Sequence, residues 1–268
     1  TGGLRQTVSD SLVIAWRNIR GGLRVPDNQI YIFLQPIMFV FLFAYVFGGA
    51  IPVPGDPDPL AYRQFLMAGI FVQTMAFAVA PAAVGLADDM TKGLISRFRS
   101  LPMARPAVIG GHVISNLGTQ LAVLIIMMVC GVIVGWRVEN GIGPFFGAVV
   151  LMLAFAFAML WVGAVIGLSV GNPQVAASAG LVWLFPVTFV SNAFVPTSQL
   201  PGWLQPIAEW NPFSAVVEAC RELFGNPQVL SDAWPMVHPI EASIGWIVIL
   251  TVIFAPWAIR KYKTTTSR

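Results

Sequence analysis

Long runs of residues with no charge are the feature that most limits what this chain can become. Residues 144–169 hold no Asp, Glu, Lys or Arg, and neither do residues 30–49 or 174–194. A helix needs about 20 apolar residues to cross the hydrocarbon core of a bilayer. These runs do not alternate between apolar and polar positions, so they do not suit the strands of a membrane β-barrel. Charged residues make up only 10% of the chain, against about 25% in a typical soluble domain. The expected class is an all-α integral membrane protein.

The order of segments refines this expectation. Residues 8–24 read as an interfacial amphipathic helix, with Leu12, Trp16, Ile19 and Leu23 on one stripe and Arg17, Arg20 and Arg24 beside it. Six spans follow, at about 30–49, 62–86, 107–135, 144–169, 174–194 and 239–259. The Pro-rich acidic loop 51–59 separates the first two, and Gly171-Asn172-Pro173 marks a tight turn before the fifth. Residues 195–237 are broken by Pro196, Pro201, Pro206, Pro212 and Pro227. The whole chain, 1–268, reads as one transmembrane domain, and its polar, Arg-bearing start lacks the pattern of a cleavable signal.

Charge placement sets the orientation. Arg5, Arg17, Arg20 and Arg24 precede the first span, Lys92, Arg97, Arg99 and Arg105 lie between the second and third, and Arg260, Lys261, Lys263 and Arg268 follow the sixth. With six spans all of these fall on one face, leaving Arg63, Arg137 and Arg221 for the other. The positive-inside rule then predicts a multi-pass protein of the cytoplasmic membrane with both termini in the cytoplasm. Trp136, Trp203, Trp210 and Trp234 fall where an outer aromatic belt is expected.

Two segments are more than connections. In the basic one, Leu94, Phe98 and Leu101 share a helical face, Arg97 and Arg99 project beside it, and Pro102 ends it. Asp88 and Asp89 read as the acidic start of that short helix, about 91–101. A plain cytoplasmic loop explains the arginines but not the apolar stripe, so the pattern favours a helix that docks on a soluble partner. In the second segment, Val216 to Phe224 is too short and too charged to span. Short helices re-entering from outside and a small ectodomain lying on the membrane are both compatible with it.

At these two places the chain resembles ABC-2-type transport permeases, particularly of the daunorubicin-resistance type. The resemblance is carried by Ile95-Ser96-Arg97-Phe98-Arg99-Ser100-Leu101-Pro102-Met103, by Asn192-Ala193-Phe194-Val195-Pro196 with Leu200-Pro201-Gly202-Trp203-Leu204, and by Asn211-Pro212-Phe213-Ser214. It implies a re-entrant segment at about 195–225. It also implies a second permease subunit and two copies of a cytoplasmic ABC ATPase, which would bind ATP and Mg. The chain has three lysines and no phosphate-binding Gly-x-x-x-x-Gly-Lys motif, so it carries no ATP site of its own. By the same resemblance, Gly93, Leu94, Arg97, Phe98, Arg99, Leu101 and Pro102 would form the ATPase-coupling helix. The expected function is the permease subunit of an exporter of hydrophobic or amphipathic drugs or lipids. A polysaccharide or glycolipid exporter is the alternative of the same architecture.

Polar residues inside spans are the candidates for a substrate path: Gln35, Gln73, Thr74, Asn116, Gln120, Thr188, Ser191 and Asn192. Helix-to-helix hydrogen bonding is the simpler role for any one of them. No charge lies deep in a span, which counts against an ion-coupled carrier. Glu218, Arg221 and Glu222 stand at i, i+3 and i+4, as an outer gate or, more simply, a structural ion pair. Gly167-x-Ser169-x-Gly171 matches a hydrolase elbow only on a strand–turn–helix. Here it ends a span, and Gly163, Gly167 and Gly171 read better as a helix-packing face. Cys130 and Cys220 give no disulfide framework, and neither a metal site nor nucleic-acid binding has support.

Overall fold

The computed structural model describes residues 34, 37–47, 59–92, 105–229 and 231–265. The expected interfacial helix 8–24, the loop 51–58 and residues 93–104 of the basic segment lie outside the described residues. Within them the chain is helical, without strands. Helix α1 covers Ile37–Val46, its last turn wound as a π-helix over Phe43–Phe47. Helices α2 (Pro59–Ala76) and α3 (Val79–Thr91) follow, then α4 (Arg105–Val134) and α5 (Ile142–Val170). Helices α6 (Pro173–Val182) and α7 (Leu184–Phe189) lead to the short α8 (Gln205–Glu209), α9 (Pro212–Phe224) and α10 (Trp234–Val237), and α11 (Pro239–Thr265) closes the order.

Helix α5 is the axis of the molecule. It packs against α2, α3, α4, α6, α9 and α11. Its apolar residues run all round the helix, which is the pattern of a helix surrounded on every side. Close approach to α3 depends on two glycines: a Cβ on Gly163 or Gly167 would overlap the carbonyl of Val79 or Ala83. These two act as the expected packing face. Gly171 does not; it caps α5 in the left-handed conformation, with φ 65° and no atom near its missing Cβ. The Asn172 side chain then accepts from the Gln174 and Val175 amides and starts α6, with Pro173 in its first turn.

Four stretches are long and apolar enough to cross a membrane: Leu60–Thr91, Ile109–Val134, Ile142–Val170 and Pro239–Tyr262. The first is not one straight helix. Pro81 has no N–H for the Phe77 carbonyl, which accepts from Ala80 instead, at 3.2 Å. The ladder therefore breaks at 77–78. The fifth apolar run is shorter than the expected 174–194, because Pro186 likewise deprives the Val182 carbonyl of a donor and the helix divides at Trp183. Large apolar side chains such as Ile125, Ile133, Val150 and Val252 remain exposed on the outer faces, as suits contact with lipid.

One correction concerns the acidic pair. Asp88 and Asp89 do not open a helix; they lie in the last turn of α3. That position is unfavourable for a carboxylate beside a helix dipole, and each one has a cationic or imidazole partner there. Asp88 takes Lys92 at 2.6 Å on the surface, and Asp89 takes His112 of α4 at 2.6 Å in a buried position. Trp136 also departs from expectation. It is 1% exposed, stacked edge-on to Phe71 and Phe224, while Trp203, Trp210 and Trp234 are exposed as a belt requires.

Candidate functional site

Besides the buried Asp89–His112 pair, two larger polar regions lie within the described part of the helical body, and they are built differently. The first is a cavity of about 200 Å³ beside the break between α2 and α3. Ile70, Gln73, Thr74 and Phe77 recur at helical spacing on its α2 wall, and Pro81, which causes the break, lies at its edge. Gln120 of α4, Phe39 of α1 and Leu181 of α6 complete the enclosure. Gln73 is 3% exposed and Gln120 is 6% exposed. Among the described residues, neither the Gln73 Nε2 nor the Gln120 Oε1 finds a hydrogen-bond partner. Thr74 donates back to the Ile70 carbonyl at 2.8 Å, leaving its oxygen as an acceptor.

Around α9 lies the second region. The Arg221 guanidinium is fully buried and every nitrogen is used. Nε donates to the Phe65 carbonyl at 3.0 Å, Nη1 to Glu218 Oε2 at 3.1 Å, and Nη2 to the Asn192 carbonyl at 2.8 Å. Its carbon centre stands 3.4 Å from the Phe65 ring centroid, adding a cation–π contact. Glu218 receives the Asn192 side-chain amide at 2.9 Å and the Val229 backbone amide at 2.7 Å. Burial pushes the Glu218 carboxyl above its ordinary range, against the pull of the Arg221 charge. Burial also lowers Arg221, to about 10, which leaves it cationic at neutral pH.

The end of α9 is fastened as well. Gly225 takes the left-handed conformation with φ 76°, and the Asn226 amide returns to the Arg221 carbonyl at 2.9 Å. Asn226 Oδ1 accepts from the Trp136 indole at 2.8 Å, and its amide donates to the Arg137 carbonyl at 3.0 Å. Helix α9 is thereby tied to the α4–α5 turn at one end and to α2 along its length.

The remaining sequence candidates divide between these regions and neither. Asn192 belongs to the Arg221 network through its carbonyl and its side-chain amide, while its Oδ1 is buried without a partner among the described residues. Ser191 and Thr188 are buried and donate to carbonyls of their own segment. Half-buried Asn116 donates to the His112 carbonyl at 2.8 Å. Glu222 is exposed and does not join Glu218 and Arg221; its carbonyl accepts from Asn140 at 2.6 Å. Gln35, Gly93, Leu94, Arg97, Phe98, Arg99, Leu101 and Pro102 lie outside the described residues. Ser169 sits in the last turn of α5 with its hydroxyl on the Val165 carbonyl, so no hydrolase elbow exists there. Among the described residues no group of His, Cys, Asp and Glu side chains is placed to hold a metal.

Sequence reasoning missed the Asp89–His112 pair. It joins the end of α3 to α4 on either side of the basic segment, and its partners stand 23 residues apart. The signal available was a lone histidine on an apolar helix, His112, whose preferred company is a carboxylate or a carbonyl.

Comparison with known proteins agrees with this architecture. The family model for the ABC-2 type transporter matches residues 10–224. The daunorubicin resistance ABC transporter permease protein DrrB1 of Streptomyces coeruleorubidus is 30% identical over 256 residues, covering 96% of this chain and 87% of that protein. A probable doxorubicin resistance ABC transporter permease protein, DrrC of Mycobacterium tuberculosis, is 24% identical over 82% of this chain and 77% of its own length. A putative transport permease, ycf38 of Porphyra purpurea, is 27% identical over 85% of this chain and 78% of its own. The chain belongs to the ABC-2 type transporter family, as a transport permease of the daunorubicin-resistance type.

Proposed function

We propose that this chain is the membrane subunit of an ATP-driven exporter that moves a hydrophobic or amphipathic drug or lipid across the cytoplasmic membrane. It works beside a second permease subunit, and two cytoplasmic ABC ATPase subunits bind the ATP and Mg. Six spans cross the bilayer, both termini are cytoplasmic, and residues 195–225 re-enter from the outer side. The single observation that carries the cargo class is the cavity beside the α2–α3 break. Among the described residues its walls are mostly apolar and aromatic, with Gln73, Thr74 and Gln120 as polar points and no charged side chain. Pockets for drug-sized molecules share this character.

The ATPase grips the basic segment. Phe98 and Leu101 enter its apolar groove, Arg97 and Arg99 meet acidic residues, and Gly93 and Pro102 shape the ends of the helix. The placement of Asp89 and His112 supports this reading, because they tie α3 to α4 where the basic segment leaves and rejoins the bundle. A push on that segment then reaches both helices at once.

The test is co-purification followed by transport in proteoliposomes. Replacing Arg97 and Arg99 by Glu detaches the ATPase or uncouples it, while the membrane subunit stays folded. Assembly and export at the wild-type rate would remove the docking assignment. The Asp89–His112 pair is also a buried pair of the kind that an ion-coupled carrier would use as a relay. Export driven by a proton gradient without ATP, and lost in Asp89→Asn, would favour that carrier instead.

A further inference from the structure

We infer that the cavity beside the α2–α3 break recognises one uncharged group that both donates and accepts a hydrogen bond, such as a hydroxyl or a carboxamide, carried on an aromatic body. The inference rests on the exporter reading for its biological sense and on the cavity's own chemistry for its content.

Two buried glutamines face one space from different helices, Gln73 from α2 and Gln120 from α4. A donor, Gln73 Nε2, and an acceptor, Gln120 Oε1, are both left without partners among the described residues. A buried polar group left unpaired is destabilising. Helix packing alone would replace both by apolar residues. A terminal amide also turns end for end at little cost, so each glutamine presents either a donor or an acceptor. The site is therefore matched to a ligand group with both capacities.

Charge is excluded by the lining. Among the described residues no acidic or basic side chain lines the space, and an ion brought there without a partner would lose its hydration uncompensated. Phe39 and Phe77 supply aromatic walls, and aromatic faces favour a flat ring between them. The volume of about 200 Å³ is below the roughly 300–1,000 Å³ of drug pockets. It accommodates one ring-bearing part of a larger molecule and leaves the rest outside.

The experiment uses the permease–ATPase complex in lipid nanodiscs and three matched probes: 2-naphthol, naphthalene and 2-naphthoate. Binding is measured by equilibrium dialysis against empty nanodiscs, which removes simple partition into lipid. The expected order is naphthol about tenfold tighter than naphthalene, with naphthoate weakest. In Gln73→Met/Gln120→Met the preference for naphthol disappears, naphthalene binds as well as before or better, and the melting temperature does not fall. A structural role for the two glutamines would instead lower the melting temperature and leave probe selectivity unchanged.

Equal binding of naphthol and naphthalene by the wild-type complex overturns the inference, as it would if the space held only water. So does a naphthol preference that survives in the double variant. If the complex assembles and exports but shows no such preference, this inference fails and the exporter reading stands. If the preference is present but no ATPase associates, the exporter reading fails and the site remains.

Discussion

The Arg221 network and the Gln73–Gln120 cavity are both polar islands in an apolar bundle, yet they differ in what is matched: the buried charge has its partners, whereas neutral amide atoms, Asn192 Oδ1 among them, are left without one among the described residues. Around Arg221 a full charge is buried and each guanidinium nitrogen has an acceptor. Around the cavity, among the described residues, the buried polar side chains are neutral, and a donor and an acceptor are left without partners. The expensive group is matched and the cheaper ones are not. A buried charge without partners costs too much to persist, so the acceptors of the guanidinium itself must be in place for the chain to fold. An unpaired amide costs little enough to be kept for a ligand. The difference teaches where to look for rigidity and where to look for cargo.

The largest effect is expected from breaking the island that holds the buried charge. Arg221→Met leaves Glu218 buried without its cation and should destabilise the protein by about 3–5 kcal/mol. It would be seen as a fall in melting temperature and in the yield of monodisperse protein. Arg221→Met/Glu218→Gln should recover much of that loss, because no uncompensated charge remains. A double variant as unstable as the single one would show that the hydrogen bonds to Phe65 and Asn192, not the charge pair, dominate.

Next comes the close approach that lets the island form. A Cβ on Gly69 would overlap the Ala193 carbonyl, next to the Asn192 carbonyl that Arg221 holds. Gly69→Ala should cost about 1–3 kcal/mol and loosen the contact between α2 and the segment after α7, measurable as faster hydrogen exchange there. An unaffected exchange pattern would mean that the two backbones separate without cost. A smaller loss, about 1 kcal/mol, is expected for Trp136→Phe. That figure is for the hydrogen bond to Asn226; the change also trims the buried ring packed on Phe71 and Phe224. A thermal shift distinguishes this from no effect at all.

Much of this was readable in the sequence, because composition and periodicity are local signals. The uncharged runs that became α4, α5 and α11 were visible, as were the Gly171-Asn172-Pro173 turn and the close pairing of Glu218 with Arg221 one helical turn apart. The breaks at Pro81 and Pro186 had a visible cause, but apolar continuity around them concealed it. Trp136 and Glu222 were misplaced for a common reason. Their positions depend on how the α4–α5 turn meets the end of α9, a contact between segments about 90 residues apart. Asp89 and His112 were separately unremarkable and became a pair only when α3 and α4 packed. Gln73 and Gln120 were legible as misfits in a span. That they share one cavity was not, since nothing in a linear pattern says which helices face each other.

The most direct test of the division between a matched buried charge and open buried amides is ATP-driven export of an amphipathic, hydroxyl-bearing dye by the Gln73→Met/Gln120→Met complex, at equal amounts of folded protein. Export efficiency should fall about tenfold, the equivalent of about 1.4 kcal/mol, with no loss of melting temperature. Export at the wild-type rate, or a loss that follows a drop in stability, would contradict it.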